Sequence, residues 1–255
     1  MNGQMYQICC IAAAAKMALK TKAEISYKPM SYEREVTFQF LPAWKWFSAK
    51  AKVSGVEKWY EECLRKGMED IKFLAPTKIA GIPLLGFSNT TESSLVCFYG
   101  KKVTYFTPHW EFDSSASAWM IHYTEHEWNN APSGKPKFEN NTEDFKIVLV
   151  KIEDFARRIE QDFFAEIFKR AHDVLTGAPD FKATKYNMPL PEMPEDKMRI
   201  FAAAKTADVF GAMGSWNDSP PYVAHEKGLS DEYNSLSAKL LEQVRLAFLY
   251  SINEW

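Results

Sequence analysis

Three residues in the middle of the chain have the types and spacing of a zinc peptidase site, His122-Tyr-Thr-Glu125-His126, which spells H-x-x-E-H. That chemistry sets two imidazoles at i and i+4 on one zinc ion, with the glutamate beside a metal-bound water as its base. It requires a helix. Around the motif, however, Trp119, Ile121 and Tyr123 alternate with other residues as they do in a strand. A strand still puts His122 and His126 on one face, but about 13 Å apart at roughly 3.3 Å per residue, too far for a shared ion. A third ligand would have to come from a later helix, where Glu153, Glu160 and Asp173 are nominal choices. Cross-strand packing of His and Tyr is therefore the favoured reading. A metal-dependent hydrolase, with His122 and His126 as ligands and Glu125 as base, is the alternative. Short motifs of this kind also arise by chance.

Other chemistries find less support. Serines abound, but no G-x-S-x-G elbow exists, and Gly211-x-x-Gly214-Ser215 lacks the second flanking glycine and follows a helix. There is no G-x-G-x-x-G and no P-loop, so no nucleotide cofactor is expected. His109, His172 and His225 are isolated in the sequence. Eight tryptophans invite a carbohydrate reading, yet most occupy core phases of strands and helices, with Trp44 and Trp46 the pair that share a face.

These residues sit in 255, of which 46% are hydrophobic and 15% aromatic, ample for a core. Lys and Arg number 31 and Asp and Glu 33, a net charge of -2 with no basic stripe, which disfavours nucleic acid as a partner. Cys9, Cys10, Cys63 and Cys97 form no CxxC pair and read as reduced thiols of a cytoplasmic protein. Ile8 to Ala15 is apolar, but its lysines follow it, the reverse of a signal peptide, and it is far short of the roughly 20 residues that span a bilayer. No membrane partner is expected.

The elements that must position the motifs follow from periodicity. Residues 4–20 read as an Ala-rich helix. Glu24–Lys28 and Glu35–Leu41 read as strands, the second with Val36, Phe38 and Phe40 alternating against Thr37 and Gln39. Trp44 to Val53 continues the alternation with a bulge near Phe47. Ser54 and Glu57 have capping-box spacing for a helix over 55–66, and Val56, Trp59, Tyr60, Cys63 and Leu64 form its stripe. Leu95–Tyr99 and Val103–Phe106 flank a tight turn at Gly100. Ala118–Trp128 reads as a third strand or as a helix capped by Ser114 or Ser115. Phe145–Val150 looks like a buried strand, and 152–176 a six-turn helix with Phe163 on its apolar face. Residues 179–194 hold four prolines and read as a connector. Two helices follow, one opened by Pro194, Glu195 and Asp196, the last capped by Ser230.

Between those two helices runs Val209-Phe-Gly-Ala-Met-Gly-Ser-Trp-Asn-Asp218. It resembles a motif of small bacterial proteins with no assigned function, some encoded beside toxin genes, which carry Phe-Gly-Gly-Met-Gly-Ser-(Phe/Trp)-Asn-Asp between two C-terminal helices. Here Ala212 replaces the second glycine. The resemblance implies a bacterial protein with a protein-binding or immunity role and carries over no catalytic residue. Trp216, Asn217 and Asp218 are then the candidate binding residues. Trp216 is either an interface anchor or a core plug, and Phe210 and Met213 beside it favour the plug. The expected object is a single α+β domain over 1–255: an antiparallel or mixed sheet from 24–151 with helices packed on one face, a helix-sheet-helix core over 1–178, the connector 179–194, and a C-terminal helix pair over 195–255. It is expected to act without a cofactor through an interface with another protein, immunity or antitoxin-like in kind.

Overall fold

A computed structural model describes residues 3–42, 51–78, 93–181, 189–211 and 213–255. The expectations for Trp44, Trp46 and the bulge near Phe47, and most of the proline connector, lie outside these residues. The fold is α+β. Its strands are β1 (Glu33–Gln39), β2 (Lys52–Ser54), β3 (Asp70–Leu74), β4 (Ser94–Tyr99), β5 (Lys102–Asp113) and β6 (Ala118–Glu127). Its helices are α1 (Gly3–Thr21), α2 (Val56–Arg65), α3 (Thr142–Arg158), α4 (Asp162–Thr176), α5 (Glu195–Ala207), α6 (Pro220–Glu226) and α7 (Ser230–Asn253). None of the described helices is long and apolar enough to cross a membrane. The chain divides into two compact units, one made of Gln7–Leu74 and Glu92–Pro136, the other of Met1–Tyr6, Ala75–Thr91 and Lys137–Trp255.

The first unit holds a mixed six-stranded sheet in the order β2-β1-β6-β5-β4-β3. Among the described residues only the β1–β6 pair is parallel. Alternation along β1 turns Val36, Phe38 and Phe40 to one side, where Phe38 stacks on Trp59 of α2 at 4.9 Å and on Tyr123 of β6 at 4.8 Å. Gly100 takes φ 60° in the β4–β5 turn, a conformation that a Cβ would strain. Residues 118–127 are strand, so the helical alternative for that segment falls away. Glu24–Lys28 is not a strand; it lies in irregular chain between α1 and β1. The Ser54–Glu57 capping box does not form either. Ser54 ends β2 and bonds Glu35, and Gly55, at φ 92°, takes the N-cap position. Leu64, placed on the α2 stripe, is exposed.

The second unit is helical. α3 packs on α4 and α7, α4 on α5, α5 on α7, and α6 on α7. Phe145–Val150, read as a strand, is part of α3. Its run of β-branched residues is overridden by burial at helical spacing of Phe145, Val148, Leu149, Ile152, Phe155 and Ala156, while Ile147 and Val150 stay exposed. The supposed 152–176 helix is two helices, because the chain turns at Ile159-Glu160-Gln161 with Glu160 at φ 58°. The turn resets the phase of α4. Phe164, Phe168 and Ala171 face inward and Phe163 is 63% exposed, contrary to the expected apolar face. Ser230 is the first residue of α7 and not its cap.

Candidate functional site

The H-x-x-E-H residues do not converge. On β6 the buried residues are Ile121, Tyr123 and Glu125, whereas His122, Thr124 and His126 alternate on the other face. Glu125, 4% exposed, is saturated by structure: Thr104 donates to Oε1 at 2.8 Å and the Leu41 amide to Oε2 at 2.8 Å, with Lys66 Nζ 3.6 Å away. Its role is to hold the chain beyond β1 against β5 and β6. His122 Nδ1 meets Thr37 Oγ1 at 2.7 Å, and His126 Nε2 meets Thr107 Oγ1 at 2.9 Å, with Tyr105 stacked on His126 at 5.1 Å. The residue set opposite His122 in the β5–β6 register is His109. Among the described residues no three His, Cys, Asp or Glu side chains group as a metal site. All four cysteines are free thiols; burial pushes the Cys97 thiol up, away from the thiolate that reactivity needs.

Residues 209–211 and 213–219 are tied to one another by hydrogen bonds. The Trp216 amide donates to Val209 O at 3.0 Å. Asn217 then clamps the interior: its Oδ1 accepts from the Gly211 amide and the Ser215 hydroxyl, each at 2.9 Å, and its Nδ2 donates to Gly211 O at 2.9 Å. Asp218 Oδ2 accepts from the Gly214 amide at 2.8 Å, with Gly214 at φ 80°. Both side chains thus bond backward into the loop, and Pro220-Pro221 opens α6.

Trp216 itself is fully buried. Phe164 and Phe168 of α4 set ring edges on it at 5.2 Å each, and Tyr233 of α7 stacks at 5.5 Å. The indole N–H donates to Ser237 Oγ at 2.8 Å, and the Tyr233 hydroxyl donates to the Trp216 carbonyl at 2.8 Å. Burial pushes the Tyr233 phenol up to about 12, so it stays a donor at neutral pH. The ring is a plug between α3, α4 and α7. Of the neighbours expected to seat it, Met213 points away and is 94% exposed. Tyr222 of α6 is 64% exposed, and Phe163, 5.2 Å from Phe164, is 63% exposed. Lys227 pairs with Glu160 at 2.6 Å and ties the end of α6 to the α3–α4 turn.

Sequence reasoning missed a buried polar network in the sheet unit. Tyr27 donates to both oxygens of Glu33 at 2.9 Å, and Tyr123 donates to Gln7 Oε1 at 2.9 Å. Burial raises the Glu33 carboxyl above the ordinary carboxylate range, against the pull of Tyr27 and of the Gln7 amide, whose Nε2 stays outside hydrogen-bond geometry. The one signal for it was a glutamine beside the most apolar run of the chain. No protein-family model, curated protein or solved structure matches this chain.

Proposed function

We propose that the protein acts by docking a different protein on the corner of its helical unit, with Met213 as the knob and Tyr222 and Phe163 as its apolar flanks. The observation that carries this is the exposure of Met213, 94%, on a loop that hydrogen bonds from Asn217 and Asp218 already hold in one shape. Such a loop loses little conformational freedom on association. An unbranched thioether adapts to an irregular apolar pocket, and clustered exposed apolar side chains mark interaction sites. Trp216, Asn217 and Asp218 serve this site from beneath, as the plug and clamps that present Met213. The immunity or antitoxin reading and a bacterial origin rest on the resemblance of residues 209–218, and a cytoplasmic setting rests on the four free thiols.

The test is site-specific photo-crosslinking in the native host with benzoylphenylalanine at position 213 and, as control, at exposed Asp154 on α3. The reading requires one discrete adduct at 213, absent at 154, whose protein, once purified, binds the wild-type chain directly. Equal or no labelling at the two positions refutes it.

A further inference from the structure

The far half of β5 carries an open edge. The Trp128 amide donates to Val103 O at 3.1 Å, and the β5–β6 register runs unbroken from Thr104–Glu127 to Asp113–Ala118. Odd-numbered residues of β5 therefore turn their amides and carbonyls toward β6, and even-numbered ones turn theirs to the opposite side. On that side Thr104 and Phe106 meet β4, whose pairing stops at Leu95–Phe106. Beyond it, among the described residues, no strand pairs with Pro108, Trp110 and Phe112. Proline has no N–H, so these residues offer the amides of Trp110 and Phe112 and a carbonyl each. A row of unpaired backbone groups is a template for another strand. Beside it Phe112 is 52% exposed, and Trp110 and Phe112 lie 5.6 and 5.1 Å from Trp119 on one face. His109 and Glu111 are exposed on the other.

The side chains select the occupant. Charges on an edge blunt it when they repel a copy of the same strand. Here they match one. Two copies of β5 related by a two-fold axis at Trp110 run antiparallel and set His109 of each opposite Glu111 of the other, where an imidazole N–H donates to a carboxylate. Trp110 then faces Trp110, and Phe112 faces Pro108, whose carbonyl accepts from the Phe112 amide. The neighbouring registers fail. An axis at Glu111 sets the two carboxylates face to face, and an axis at His109 sets Phe112 against Phe106, already paired with β4. We propose that the protein forms a symmetric dimer through this edge, β5 pairing antiparallel with β5 of a second copy across Pro108–Phe112. So short a contact lies at the small end of specific interfaces, and the dimer exchanges with monomer. The dimer does not rest on the Met213 reading.

The test is sedimentation velocity of the full chain from about 5 μM to about 1 mM, the span of weak reversible association. Wild type should shift from monomer to dimer within it. His109→Glu sets Glu against Glu twice, and Glu111→Lys sets Lys against His twice; each should weaken self-association by about tenfold or more. An equimolar mixture of the two variants should recover a dimer, because one copy of each yields one Glu–Lys pair and one native His–Glu pair. Both positions are exposed, so the urea midpoints of the variants should match wild type. A wild type that stays monomeric throughout overturns the proposal and leaves the edge to a strand of a different protein. A His109→Glu protein that dimerises as wild type does, or a mixture that associates no better than its components, overturns it as well.

Discussion

Replacing Trp216 by Ala should remove the largest side chain of the helical core, and its cost can be worked from the contacts. The ring is fully buried among Phe155, Phe164, Phe168 and Tyr233. Truncating a buried aromatic to Ala costs about 3–5 kcal/mol in lost transfer energy and cavity. The indole N–H bond to Ser237, itself 1% exposed, goes as well, adding about 1 kcal/mol for a net hydrogen bond. The sum, about 4–6 kcal/mol, is a large part of the roughly 5–15 kcal/mol that holds a domain folded. Urea unfolding followed by far-UV circular dichroism measures it. Trp216→Phe keeps most of the apolar volume and loses the bond, so it should cost roughly half as much or less. In the background of Ser237→Ala the Trp216→Phe loss should shrink, because the bond is already gone. A Trp216→Ala loss below about 1 kcal/mol would refute the plug and leave the ring without its assigned role.

Phe163→Ala, at a side chain 63% exposed, should change stability by no more than about 0.5 kcal/mol, whereas Phe155→Ala, fully buried, should cost about 3–5. The same urea titrations check the pair, and a large loss at Phe163 would contradict the break between α3 and α4. Glu125→Ala orphans the Leu41 amide and the Thr104 hydroxyl, while Lys66 keeps Glu62, and should cost about 1–3 kcal/mol for each of the two orphaned donors. A neutral result would free Glu125 for the base role that H-x-x-E-H suggests. Glu33 keeps its proton in the folded chain at pH values where the unfolded chain has lost it, so its contribution is full below the ordinary carboxylate pKa and declines as pH rises. Glu33→Gln should therefore gain stability relative to wild type as pH rises above the ordinary carboxylate value of about 4, and parallel pH profiles would rule out the burial of Glu33 as the cause.

The strands were legible where alternation met a half-buried sheet, as in β1, β5 and β6, whereas β4 reads from its continuous apolar run Leu95–Phe98 before the Gly100 turn. Two elements were not, for identifiable reasons. Ile147-Val148-Leu149-Val150 has strand propensity, but α3 takes its identity from Phe145, Val148, Leu149 and Ile152, a tertiary choice that propensity does not record. The turn at Ile159-Glu160-Gln161 carries neither Gly nor Pro, so no local signal announced it, and the phase of Phe163 was lost with it. At the loop, Gly211, Gly214 and the Asn-Asp pair announced a shaped turn. The exchange of roles was hidden, since the amphipathic indole goes inward to Ser237 while the thioether of Met213 goes out.

The docking reading is tested most directly by the affinity of the protein captured at position 213, measured against wild type and Met213→Asp by titration calorimetry. A central anchor lost to a carboxylate should weaken binding by about 2 kcal/mol or more, roughly thirtyfold in Kd, while leaving the urea midpoint unchanged. A Kd that Met213→Asp leaves within about twofold of wild type, under 0.5 kcal/mol, would contradict the assignment of this corner as the interface.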